Sequence, residues 1–145
     1  MRGIVIVVVG FNQDIGGWNT ENVLNMEQMF FQNDIFNADI GKWNTGMVQN
    51  MREMFYYSED FNQDVGDWDV SSVTDMKSMF QFAGEFNHDI SGWDVSKVKD
   101  MTKMLYVASA FDQDLGPWCI TVSVHRCLRR HLRGYVASTR AYEPT

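Results

Sequence analysis

One phrase recurs along this chain at a fixed interval. FNQDIGGWN at Phe11 returns as FNADIGKWN at Phe36, FNQDVGDWD at Phe61 and FNHDISGWD at Phe86, and a fifth copy opens as FDQDLGPW at Phe111. The spacing is 25 residues each time, with no insertion. A period of roughly 20–50 residues marks units that are too small to bury a core alone and gain stability by stacking on their neighbours. The pattern stops after Trp118, and the opening MRGIV falls in register with the MEQMF, MREMF and MKSMF segments. The chain therefore divides into residues 1–10, a partial repeat or capping strand; 11–118, a short solenoid of four full units and the start of a fifth; and 119–145, a divergent tail.

Composition agrees with a folded domain: 45% of residues are hydrophobic and 21% charged, too apolar for disorder. The net charge of −7 is unevenly spread. Residues 1–118 carry 7 Lys+Arg against 18 Asp+Glu, whereas 119–145 carry 5 Arg against 1 Glu. An acidic body does not neutralise phosphates, so nucleic acid is excluded as a partner of the repeats. No apolar run approaches the length of a membrane span. Cys119 and Cys127 both lie in the tail and form no disulfide framework for the repeats.

Comparison of the units with one another assigns a role to each column, on the premise that fixed columns face the interior and variable ones face water. In NMEQMF and its copies the apolar residues fall at i, i+3 and i+4, as in Met76, Met79 and Phe80, which is one face of a helix. Asn25, Asn50, Asp75 and Asp100 stand immediately before, where an N-cap would. A helix of about two turns is expected from each cap. FNQDI, short and followed by Gly or Ser, reads as a strand or extended arc. The fold class expected is an α/β repeat with one short strand arc and one short helix per coil, curved because a helix is wider than the strand spacing.

The ladders need a choice between structure and function. The Trp ladder (Trp18, Trp43, Trp68, Trp93, Trp118) holds every tryptophan of the chain and reads as stacked core rather than a sugar-binding row. The Phe ladder (Phe11, Phe36, Phe61, Phe86, Phe111) and the Met columns (Met26, Met29, Met51, Met54, Met76, Met79, Met101, Met104) read as core. The Asp ladder (Asp14, Asp39, Asp64, Asp89, Asp114) raises calcium and carboxylate catalysis, but stacked carboxylates are better explained as acceptors for turn N–H groups. Asn12, Asn37, Asn62 and Asn87 read as an asparagine ladder between coils, with Asp112 the departure.

No catalytic motif is present: no HExxH, no phosphate-binding GxxxxGK[ST], and no nucleophile grouped with His. No metal site or cofactor is expected from the repeats. Variable columns then supply the candidate contact surface, represented by Gln13, Lys42, Gln63, Asp67 and His88, for a protein or glycan ligand. The alternatives are a glycan-processing enzyme built on paired carboxylates, and calcium-stabilised adhesion through the Asp column. Uncovered ends would permit self-association.

The signature FNxDIxxWDVSxVxDMxxMFxxAxxFN, written most fully from Phe61 to Asn87, resembles the BspA-type leucine-rich-repeat surface proteins, including the repeat of unknown function of mycoplasma-type and other bacterial surface lipoproteins. The resemblance covers residues 11–118. It implies a short leucine-rich-repeat-like right-handed solenoid, a cell-surface or secreted location, and adhesion or protein contact, with no catalytic residue to transfer. MRGIVIVVVG shows neither a clear cleavage site nor a lipobox-like cysteine, so a cytoplasmic protein or a fragment are the alternatives on location.

In the tail, the columns due for Met, Met and Phe hold Arg126, Arg129 and Arg130. An out-of-frame read would produce that switch. Read as it stands, Val124, Leu128, Leu132 and Tyr135 outline a basic amphipathic helix able to cap the last coil. His125, Cys127 and His131 lack a fourth ligand for a metal.

Overall fold

The computed structural model describes residues 10–119. Successive 25-residue units stack in register, joined by parallel bridges from Asn25 to Asn50, Asn50 to Asp75 and Asp75 to Asp100. Among the described residues there is no α-helix and no strand longer than these bridges; the single regular element is a 3-10 helix at Gly116–Cys119. The expected coil of one strand arc and one helix is thus corrected. Each coil is a succession of turns. The expectations on residues 1–9 and on the tail beyond Cys119 fall outside the described residues.

The NMEQMF segment shows how turns replace the helix. Met29 N–H donates to Met26 O, Phe31 to Gln28 O and Asn33 to Phe30 O, each closing a local turn. The intervening amides leave the coil: Met26, Gln28, Phe30 and Gln32 donate to Asn50, Arg52, Met54 and Tyr56 of the next unit at 2.7–2.9 Å. The same four bonds recur from Met51, Glu53, Phe55 and Tyr57, and again from Met76, Ser78, Phe80 and Phe82. The turns require left-handed backbone at Gln28 (φ +57°) and Gln32 (φ +55°), and at Glu53, Tyr57, Ser78, Phe82, Lys103 and Val107 after them. A helix tolerates neither those angles nor amides directed out of the coil. A six-residue helix would also form few internal bonds against a costly nucleus. The apolar spacing survives because this chain of turns points the same residues inward: Met26, Met29 and Phe30 are at most 1% exposed.

The FNxDI arcs pair through side chains rather than through a backbone ladder. Asn12 Oδ1 accepts Asn37 N–H, Asn37 accepts Asn62, Asn62 accepts Asn87 and Asn87 accepts Asp112, at 2.9–3.0 Å. Three Asx turns then bend each coil. Asp39 Oδ1 accepts from Gly41 N, Asn44 Oδ1 from Gly46 N, and Asn50 Oδ1 from Arg52 N. The positions expected to be N-caps therefore do accept backbone N–H groups two residues on, but at turns. Asn and Asp interchange in these columns because both present the same Oδ1.

The core is a column of stacked rings. Phe30 and Phe36 lie 3.7 Å apart between centroids, Phe55 and Phe61 3.9 Å, and Phe80 and Phe86 4.0 Å. Coil to coil, Phe30–Phe55 and Phe55–Phe80 are 5.5 and 5.4 Å apart. Beside them the indoles of Trp43 and Trp68, and of Trp93 and Trp118, stack at 6.4 Å, and each Nε1–H from Trp43 to Trp118 donates to a carbonyl 28 residues earlier. Those four indoles are 3–6% exposed; Trp18, at the start of the stack, is 40% exposed. All eight ladder methionines are buried.

Candidate functional site

The fixed polar columns lie at the surface, not in the interior, and one side-chain oxygen of each ladder Asp is engaged by the fold. Asp14, Asp39, Asp64, Asp89 and Asp114 each accept the N–H two residues on at 2.8–3.0 Å. Where a carboxylate shift is resolved it is downward: the Ser91 N–H and hydroxyl lower Asp89, and the hydroxyls and N–H groups of Ser71 and Ser96 lower Asp69 and Asp94. A glycosidase acid needs the opposite shift. Among the described residues no group of three or more His, Cys, Asp or Glu is placed to hold a metal ion. No helix there is long and apolar enough to cross a membrane.

The expected contact column is also occupied. Gln63 Nε2 donates to Asn37 O and Oδ1, Gln113 does the same to Asn87, and His88 Nε2 lies 3.0 Å from Asn62 O. His88 thus takes the place of a glutamine that caps the preceding coil. Ala38 cannot reach back in this way, and a hollow of about 640 Å³ opens there, lined by Asn12, Asp14, Asp39 and Lys42 among others. Gln13, Lys42 and Asp67 are exposed.

A different face carries unengaged chemistry. The turn-chain residues that do not enter the core form four short columns across the coils: Glu27, Arg52, Lys77, Thr102; Gln28, Glu53, Ser78, Lys103; Phe31, Tyr56, Gln81, Tyr106; and Gln32, Tyr57, Phe82, Val107, with Ser78 and Gln81 the two that are buried. Rings run along this ridge. Phe31 stacks on Tyr56 at 4.9 Å and Tyr57 on Phe82 at 4.2 Å, while Phe82 meets Tyr56 and Tyr106 edge-on at 5.8 Å. Partial burial raises the Tyr56 phenol above its ordinary value, with Tyr57 and Glu53 adding to the effect.

Charge along the ridge is asymmetric. At one end Glu53 is held by Arg52 (3.1 Å) and by Gln28 Nε2 (2.7 Å), and Glu27 lies 3.8 Å from Arg52. The hydrogen bond to Glu53 and its charge raise the Arg52 pKa further. At the other end Lys77 and Lys103 have no ion-pair partner among the described residues; Lys103 Nζ stands 5.7 Å from the Tyr106 ring. Between the two ends runs a groove of about 510 Å³, walled by Phe31, Tyr56 and Glu53, flanked by Lys77, Thr102 and Lys103, and floored by Ser78 and Gln81. Sequence reasoning passed over this face because its turn-chain columns were assigned to a helix. One signal was available: the third column holds a ring in three coils and Gln81 in the other.

No curated protein and no solved structure matches the chain. Comparison with protein families matches it twice, over residues 1–81 and 39–127, to the family described as "Mycoplasma protein of unknown function, DUF285". Those two spans together take in all four complete repeats, and the chain belongs to the DUF285 family.

Proposed function

We propose that this protein is a non-enzymatic contact module that uses the outward face of its turn chains to hold a protein or glycan ligand, in an adhesive role at the cell surface. The observation that carries this reading is the contrast between two surfaces. On the Asn and Asp side each repeated polar group is tied to the fold itself, whereas on the turn-chain side rings and lysines face solvent. Exposed tyrosines beside cations are the residue types that dominate contact energies. The resemblance to BspA-type surface proteins supports the location and the adhesive role. Carboxylate catalysis and calcium-dependent adhesion are less well supported, because the Asp ladder is engaged by its own turns.

The test uses purified chain over a panel of immobilised cell-surface glycoproteins, each with and without its glycans. Saturable binding that falls when Tyr57 and Phe82 are both replaced by serine, and persists when Asp64→Asn is introduced, is expected. Binding to no member of the panel, or release of sugar from it, would overturn the reading.

A further inference from the structure

The floor of the turn-chain groove holds two polar side chains that the fold itself does not use. Ser78 is 4% exposed and Gln81 6% exposed, yet neither the hydroxyl nor the carboxamide has a protein partner among the described residues. Among the described residues no fully buried side-chain oxygen or nitrogen goes unpaired. Both groups are therefore reached from the groove alone. A hydroxyl and a carboxamide each donate and accept, so together they suit a ligand with adjacent hydroxyls. Tyr56 offers an aromatic wall beside them, and Lys77 and Lys103 leave the rim cationic on an otherwise acidic body.

An extended peptide fits this face poorly. Main-chain capture needs an open backbone edge. Here the Glu53, Phe55, Tyr57, Ser78, Phe80 and Phe82 N–H groups all bridge to the following coil. The groove is an open depression of about 510 Å³, which suits a ligand lying on the surface.

We infer that this groove is an acidic-saccharide subsite: the Ser78 hydroxyl and Gln81 amide take sugar hydroxyls, Tyr56 packs on the sugar ring, and Lys77 and Lys103 attract its carboxylate or sulfate. This deepens the proposed contact function and rests on it. The interruption of the aromatic column at Gln81 creates the subsite, since a ring at that position would cover the floor.

The repeat supplies fold-compatible variants. Gln81→Tyr restores the residue that Tyr56 and Tyr106 carry in the same column, and Lys77→Thr introduces the one at Thr102. Binding of sialyllactose, a heparin oligosaccharide and neutral lactose is measured by calorimetry and saturation-transfer NMR. The wild-type chain is expected to prefer the two anionic sugars. Gln81→Tyr should weaken them at least about ten-fold, and Lys77→Thr with Lys103→Gln should remove the preference over lactose while unfolding transitions stay unchanged. Equal affinity in Gln81→Tyr, or wild-type binding to none of the three, overturns the subsite. If glycoproteins are then still bound after glycan removal, the broader contact function stands without it; if they are not bound at all, both fall.

Discussion

The left-handed turn positions give the sharpest test of this fold, because helix and turn predict opposite signs at one residue. Gln32 is exposed, has φ of +55°, and donates its N–H to Tyr56 O at 2.7 Å, a bond that survives any substitution except proline. An L-residue in this conformation costs about 1–2 kcal/mol. Glycine escapes that cost but loses roughly 0.5–1 kcal/mol through its more mobile unfolded chain. Gln32→Gly should therefore be more stable than Gln32→Ala by about 0.5–1 kcal/mol, where a helix would make it less stable by about 1 kcal/mol. The pair is compared by urea unfolding followed by tryptophan fluorescence, with the midpoint taken at unchanged slope. In thermal unfolding the difference is a shift of about 2–4 °C. Thr102, which lacks the positive φ of its neighbour Lys103, is the control and should keep alanine above glycine. If alanine is the more stable residue at position 32, the turn-built coil is wrong.

Three further outcomes follow from the ladders. Trp68→Phe deletes the 3.1 Å bond from Nε1 to Ile40 O inside the stack and should cost about 1–3 kcal/mol in urea unfolding, whereas Trp18→Phe at the exposed start should stay within about 0.5 kcal/mol. Asn62→Leu removes the acceptor for Asn87 N–H and should lose about 1 kcal/mol, while Asn62→Asp keeps that acceptor and should lose less. The bonds from Ser71 and Ser96 lower the Asp69 and Asp94 pKa values on folding. Their stabilisation is complete above the ordinary carboxylate pKa and is lost as pH falls through the lower folded values. Replacing both with Asn, which Asn19 and Asn44 already supply in that column, should flatten the decline in melting temperature below about pH 4.

Much of this architecture was legible in the repeat, and its failures have one physical origin. The period fixed which residues meet, and the ring and methionine ladders followed. The Asn ladder and the Asx role of the Asp column followed from hydrogen-bonding capacity. The helix did not survive because apolar spacing at i, i+3 and i+4 reports only which side chains point inward. It does not report where the intervening amides go, and here Met26, Gln28, Phe30 and Gln32 direct theirs to the next coil. The column of Gln63, His88 and Gln113 shows a related limit. Variation among Gln63, His88 and Gln113 looked like freedom, but all three reach back to the preceding Asn carbonyl, so the column varies between chemical equivalents.

That distinction separates departures the fold explains from those it does not. Leu105 replaces a ring in the Phe30, Phe55 and Phe80 column, yet it is 1% exposed and still fills core. Val70 and Val95 replace Thr20 and Thr45, exchanging the Oγ1 bonds to Asn44 O and Asp69 O for apolar burial of similar shape. Asp112 replaces Asn but still donates its N–H into the ladder. Each is interchangeable because the contact it makes is supplied another way. Gln81 differs in kind: it interrupts a row of rings, is 6% exposed, and its carboxamide has no partner among the described residues. The ring carried by the neighbouring coils would cover the groove floor, where the carboxamide instead leaves a donor and an acceptor open to it. Stacking alone therefore favours tyrosine at position 81, and glutamine there makes sense where a ligand completes its bonds.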